Sequence, residues 1–146
     1  MSPREVAAFL AERHTATMCT FNWDGSIHAV AMWYGFLDGL LALQTKAKSQ
    51  KARNLARDPR MTWLVEEGER YEELRGVELV GRAVPVDDAE QVFAVGASVF
   101  DRYVAPYTDA AREAVETMLR KRGAFVLDVQ RTVSWDHRKL QTAAPR

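Results

Sequence analysis

Two Asp-Gly pairs, Asp24-Gly25 and Asp38-Gly39, stand between runs of apolar and β-branched residues, and they constrain the fold more than any other feature. Asp-Gly readily supplies the positive-φ positions of a tight hairpin, so the strands on either side run antiparallel. Residues 15–21, 27–36 and 40–45 therefore read as a three-stranded meander. Residues 60–66, 74–84 and 124–134 carry the same apolar and β-branched signal and bring the count to six strands. Gly76 and Gly81, inside the fifth, suggest bulges or close approaches to the backbone. The strands do not alternate with helices as a doubly wound parallel sheet requires. The expected class is α+β, mainly β: an antiparallel barrel with peripheral helices.

The helices announce themselves by their caps. Ser2, Pro3 and Glu5 form a capping box with proline at the first helical position, and Val6, Phe9 and Leu10 follow at helical spacing, giving an N-terminal helix within residues 1–14. Ser49 can cap a second helix that Pro59 stops. Asp87-Asp88-Ala89-Glu90 opens a third, and Thr108 opens a fourth that carries Val115 and Leu119 toward Gly123. Residues 69–73 suggest one helical turn, and residues 141–146 a flexible tail. With 146 residues and no linker or repeat, residues 1–146 read as one domain with a sizeable core. No apolar run approaches the ~18 residues of a membrane span, and the N-terminus lacks a signal-peptide core, so a cytoplasmic protein is expected. The single cysteine, Cys19, rules out a disulfide within the chain and reads as a buried small side chain. His14, His28 and His137 lack metal-ligand spacing, so no metal site is expected.

From Lys46 to Arg60 the chain holds six Lys/Arg and one acid, Asp58, although its net charge is zero. Ser49 as N-cap puts Lys51 in the first helical turn, where positive charge opposes the helix dipole unless an anion is bound. Thr45, Ser49 and Asn54 add hydrogen-bonding groups around the same turn, as a phosphate cradle would. A solvated basic face is the alternative. A nucleic-acid surface would need a broader basic stripe, and no comparable second cluster is evident. Met32-Trp33-Tyr34 lies on the strand leading into the hairpin that ends at this loop. These side chains suit a core, and equally one wall of a slot for a planar ring. There is no Rossmann, Walker or nucleophile-elbow motif. The acidic stretch from Glu66 to Glu73 reads as a solvated hairpin.

The order of His28-x-x-x-Met32-Trp33-Tyr34, then Thr45-x-x-x-Ser49-x-Lys51-x-x-Asn54-Leu55-x-x-Asp58-Pro59-Arg60, then Leu74-Arg75-Gly76-Val77-x-x-x-Gly81-x-Ala83 and Ser134-Trp135-Asp136-His137-x-Lys139-Leu140 resembles the pyridoxamine 5′-phosphate oxidase-like superfamily of flavin and deazaflavin oxidoreductases. The matching pieces span roughly residues 10–140 and are most similar to the actinobacterial branch that uses the deazaflavin F420, some of whose members use FMN. The resemblance implies a six-stranded antiparallel split β-barrel and a homodimer with its sites at the interface. It implies a cofactor phosphate held by Thr45, Ser49 and Lys51, and a ring system backed by Met32 and Trp33, with Trp135 and His137 near the cleft. Lys46, Lys48 and Arg53 would reach the anionic tail of F420, and Asn54 would complete the cofactor site. The implied activity is hydride transfer from reduced F420 to an unsaturated or conjugated small molecule. The alternatives are an FMN-dependent oxidase or reductase, a non-catalytic binder of a flavin, F420 or a tetrapyrrole, and a phosphoanion or nucleic-acid binding module. The arginine and histidine motifs of the longer vitamin B6 oxidases have no counterpart here, which points away from that activity. No catalytic acid or base stands out: Tyr34, Tyr71 and His137 are the candidate proton donors, with solvent as the other source.

Overall fold

The computed structural model describes residues 1–12 and 15–143. His14, the end of the expected first helix and the last three residues of the expected tail lie outside them. Helix α1 (Pro3–Ala11) starts on the expected capping box: the Ser2 N–H donates to Glu5 Oε2 at 2.6 Å, and the Glu5 N–H donates to Ser2 Oγ at 3.3 Å. Strands β1 (Ala16–Phe21) and β2 (Ile27–Met32) pair across the first Asp-Gly turn. Strands β3 (Gly35–Leu37) and β4 (Leu40–Lys46) pair across the second, where Asp38 and Gly39 have φ of 50° and 80°. Two positive φ values in a two-residue loop make the primed hairpin turn that Asp-Gly favours.

After β4 come α2 (Gln50–Arg57), β5 (Arg60–Glu67), a 3-10 turn at Tyr71–Glu73 and β6 (Arg75–Val86). Then follow α3 (Ala89–Tyr103), a 3-10 turn at Asp109–Ala111, α4 (Arg112–Leu119), β7 (Arg122–Asp136) and a 3-10 stretch at His137–Ala143. The fourth helix thus begins later than Thr108, whose side chain makes no capping bond.

Among the described residues the sheet has seven strands in the order β2-β1-β5-β6-β7-β4-β3, with each neighbouring pair antiparallel. The expected long strand over 27–36 is in fact two strands at opposite edges of the sheet, so β2, β1, β3 and β4 are two hairpins and not one meander. Only Trp33 and Tyr34 separate these edges in sequence, and two residues span at most ~7 Å beyond the usual step. The sheet must curl until its edges meet, which makes it the split barrel. The break comes at Tyr34 because its hydrogen bonds go to helices: its phenol donates to the Leu10 carbonyl at 2.9 Å, and its N–H lies 3.4 Å from the Tyr103 hydroxyl oxygen.

The barrel is filled by Tyr34, Trp63, Phe9, Met18, Leu43, Leu127, Val65 and Val77, all essentially inaccessible. Tyr34 packs edge-on against Trp63 at 5.8 Å. A smaller cluster, Ala42, Val95 and Ala124, lies under α3 outside the barrel. Strand β4 is consequently covered on both faces over 41–45. Arg102 on α3 fastens the closure: its guanidinium donates to the carbonyls of Leu10, Ala11 and Glu12 at the end of α1 and lies 4.6 Å from the Tyr34 ring centroid. Carbonyls at a helix C-terminus lack intrahelical partners, and Arg102 supplies donors there beside the Tyr34 phenol at Leu10.

Both suspect glycines of β6 are close approaches. A Cβ at Gly76 would run into the Trp135 ring, and a Cβ at Gly81, beside the β6–β7 register shift, into the Asp128 carbonyl oxygen. Backbone gives way less easily than a side chain, so Gly81→Ala is expected to cost about 1–3 kcal/mol. Urea unfolding would measure this; an unchanged midpoint would show that the bulge tolerates a methyl group.

Candidate functional site

Helix α2 is bound to the barrel from beneath. Asn54 is fully buried, and its Nδ2 donates to Thr20 Oγ1 and Asn22 Oδ1, both at 3.0 Å, while its Oδ1 accepts from Gln50 Nε2 at 2.9 Å. Asn54 was expected at the cofactor. It lines neither pocket described below, and its amide is consumed in locking α2 onto β1 and the first hairpin.

Above that lock, Ser49 caps α2: its Oγ accepts from the Ala52 N–H at 3.3 Å and lies 3.2 Å from Thr45 Oγ1. No acidic residue occupies the first turn of α2. Thr45, Lys46, Ser49 and Lys51 instead line a concavity of about 310 Å³ together with Met32, Gln44 and Arg122. Arg122 and Lys46 are directly opposed in the β4–β7 ladder, a like-charge pairing that sheets avoid. Burial, and then the charge of Arg122, push the Lys51 ammonium below the ordinary lysine range. Three cations thus converge on two hydroxyls at a helix N-terminus. That is the donor set of an anion site.

Met32, Gln44 and Arg122 also line a second cleft of about 390 Å³, shared with Thr15, Ala31, Trp33, Val99 and Met118. The two spaces are therefore contiguous. Trp33 is 49% exposed at this cleft and stacks on Tyr103 of α3, ring centroids 4.8 Å apart and planes within 2°. Gln44 is 6% exposed, and its Oε1 is buried without a hydrogen-bond partner.

The expected residues therefore divide. Thr45, Lys46, Ser49 and Lys51 gather at the anion end, with Met32 joining the two spaces and Trp33 on the apolar end. Lys48 and Arg53 are exposed nearby but line neither space. Trp135 and His137 lie thirteen or more residues along from Arg122, about 40 Å of strand. There Trp135 covers Gly76, and His137 Nδ1 is 2.8 Å from the Tyr71 carbonyl oxygen. Within one chain they do not reach the cleft.

None of the candidate proton donors reaches the cleft either. Tyr34 is in the core, where burial pushes its phenol well above the usual range; Tyr71 is exposed beside His137. The residues lining the apolar cleft include no carboxylate, imidazole or phenol. Among the described residues no group of His, Cys, Asp and Glu is suited to a metal ion.

Two residues escaped the sequence reading. Arg122 belongs to Arg120-Lys121-Arg122, a second basic run that looked like a helix end. Lys121 has φ of 59° and its carbonyl accepts from the Ala47 N–H at 2.9 Å, which brings this run against the loop that precedes α2. Gln44 carried no signal beyond being the polar member of a buried strand.

The sequence matches the pyridoxamine 5′-phosphate oxidase family over residues 2–136. Among solved structures, a conserved hypothetical protein from Mycobacterium tuberculosis is 46% identical, with 100% of this chain and 90% of that chain covered and a TM-score of 0.93. A heme binding protein from Mycobacterium smegmatis shares the fold at 23% identity, covering 91% of this chain and 57% of that one, TM-score 0.67. An F420 reductase does so at 23% identity, covering 86% and 94%, TM-score 0.65. A search of curated proteins returns no match.

The depressed Lys51 pKa means that its charged form is disfavoured in the folded chain. The deficit holds at neutral pH and is relieved only as pH rises through the lowered value toward the ordinary lysine range. Lys51→Met should therefore raise the thermal midpoint by about 1–3 °C in anion-free buffer, and should lose the further rise that phosphate gives the wild type. Equal phosphate responses in the two proteins would remove Lys51 from the anion site.

Proposed function

Because this chain belongs to the pyridoxamine 5′-phosphate oxidase family, we propose that it is an F420-dependent reductase acting on an unsaturated or conjugated small molecule, with FMN as the alternative cofactor. The observation that carries this reading is the continuity of a cationic cradle with an apolar cleft through Met32, Gln44 and Arg122. A phosphate linked to a flat ring fits that pair of spaces. When bound, F420 would supply a hydride from C5 of its ring.

The chain's own residues would bind, orient and exclude water. Thr45 and Ser49 offer hydroxyls to the phosphate, and Lys51 and Arg122 neutralise it. Met32, Val99 and Met118 give the ring an apolar wall, with Trp33 at the exposed side. Lys46 at the cradle, with Lys48 and Arg53 outside it, offers more positive charge than one phosphate needs, which favours the longer anionic tail of F420 over FMN. The lack of an acid or base in the cleft suits a reaction whose chemistry resides in the cofactor, with protons drawn from solvent.

The functional unit we propose is a homodimer. Val84, Val129, Val133 and Leu40 are exposed on the strands, an arrangement that supports self-association. A second copy is also what could carry Trp135 and His137 toward a cleft they do not reach in their own chain. No helix among the described residues is long and apolar enough to cross a membrane, and the proposed place of work remains the cytoplasm.

A binding role without catalysis is the second reading. Met32 and Met118 both line the apolar cleft, and thioethers can ligate heme iron. Parallel titrations with F420, FMN and hemin separate the readings. F420 is expected to bind most tightly, and Lys51→Ala to weaken it about tenfold to a hundredfold, as loss of a charge-assisted hydrogen bond does. Hemin binding alone, with neither flavin-type cofactor retained, would overturn the reductase assignment.

A further inference from the structure

One of the three side chains that line both spaces, Gln44, also has an unmet hydrogen bond. Gln44 shares a β4 face with Ala42, the face covered by α3 and opposite that of Leu41 and Leu43 in the barrel. It is 6% exposed, its Oε1 is buried without a partner, and it lines both the cationic cradle and the apolar cleft. Native structures rarely leave a buried acceptor unpaired, and each exception calls for a cause. Here the cause lies in the position. On one side stand Thr45, Ser49 and Lys51, and on the other Ala31, Trp33, Val99 and Met118.

A ligand that fills both spaces must cross Gln44 between its anionic end and its flat end. We infer that Gln44 is a specificity residue that reads a hydroxylated linker at this crossing, and so selects ribityl-linked flavins and deazaflavins over heme. The inference rests on the flavin-class reading of the cleft and gives that reading a discriminating residue. A linker hydroxyl both donates and accepts, so it satisfies the amide in either orientation. The arms joining a porphyrin ring to its carboxylates are methylenes and donate nothing. A heme in this cleft would leave Oε1 unpaired and put a carboxylate, itself an acceptor, near it. Ring binding and phosphate binding alone could be served by many clefts. A buried acceptor at their junction asks for a particular connection between the two.

The test is Gln44→Leu, with Gln44→Met as a second variant of different shape, titrated with FMN, F420, hemin and lumiflavin, the last a flavin ring without the polyol. Inorganic phosphate is followed by its effect on the thermal midpoint. Both variants should fold, since they remove an unpaired buried acceptor, and their ligand-free midpoints should equal or exceed the wild type. Binding of the ribityl cofactor should weaken about tenfold, the size of one lost hydrogen bond. Lumiflavin, hemin and phosphate responses should stay within about twofold of the wild type. A ribityl-cofactor affinity unchanged in both variants would overturn the inference and show that a water satisfies Gln44. An equal loss for hemin or lumiflavin would also overturn it, by showing general damage to the cleft. If the wild type binds neither FMN nor F420, the reductase reading itself falls and takes this inference with it.

Discussion

The fold depends on closing the sheet through two residues. β2 and β3 occupy opposite edges of a seven-stranded sheet, yet Trp33 and Tyr34 alone separate them in sequence. Adjacent side chains on an extended chain point opposite ways, so one closure residue faces inward and the other outward. Tyr34 goes into the core and bonds to the end of α1. Trp33 is left at the surface, stacked on Tyr103 at the apolar cleft. The same step that completes the barrel supplies a wall of the site. Arg102 ties both to the helices, meeting the carbonyls at the end of α1 and lying against the Tyr34, Phe36 and Tyr103 rings.

Around this closed scaffold the local choices agree with the fold, as a minimally frustrated sequence requires. The caps of α1, α2 and α3 are satisfied, Gly25, Asp38 and Gly39 take positive φ in their turns, and the one buried asparagine is fully engaged. Two exceptions, the unpaired Trp63 Nε1 and Arg102 Nε, lie in the barrel core and at its closure, but four others share one place. Lys46 opposes Arg122, Lys51 is desolvated beside Arg122, α2 begins without an acid in its first turn, and Gln44 buries an unpaired oxygen. Each would be cured by an ordinary substitution. Their clustering within two contiguous concavities is what a binding site would show if a ligand offset the instability of the empty state.

How much could be read in advance follows from which interactions are local. Caps and tight turns are local, so Ser2, Ser49, Asp88, Asp24-Gly25 and Asp38-Gly39 all stated their roles. Thr45, Ser49 and Lys51, proposed as a phosphate cradle, could be picked out together because they lie close in sequence, and they do line one concavity. The division of residues 27–36 into two strands was not visible: Trp33 and Tyr34 have high strand propensity, and what ends β2 there is a set of bonds to residues near 10 and 103. Asn54 was misread for the same reason, because its partners Thr20 and Asn22 lie more than thirty positions away. Arg122 needed the fold to bring a second basic run against the first. Trp135 and His137 were placed by resemblance to a family, and one chain leaves them at the far end of β7.

The cleft's chemistry is narrower than its charge suggests. Its cations gather at one end, with Arg122 at the junction, and the other end holds Thr15, alanine, valine, methionine and tryptophan, with nothing that could take up or give a proton near neutrality. A hydrolase or a lyase would need such a group positioned at the reacting atoms. Under the proposed function, a protein that would hold a phosphate at one end, wall a flat ring with apolar side chains and offer no acid or base leaves the reactive part of the task to its ligand. What remains for the protein is recognition. Positive charge at one end and an apolar slot at the other would admit several ring-bearing anions. Gln44, buried and uncommitted at Oε1, lines both spaces and would meet the arm that connects the two ends of such a ligand.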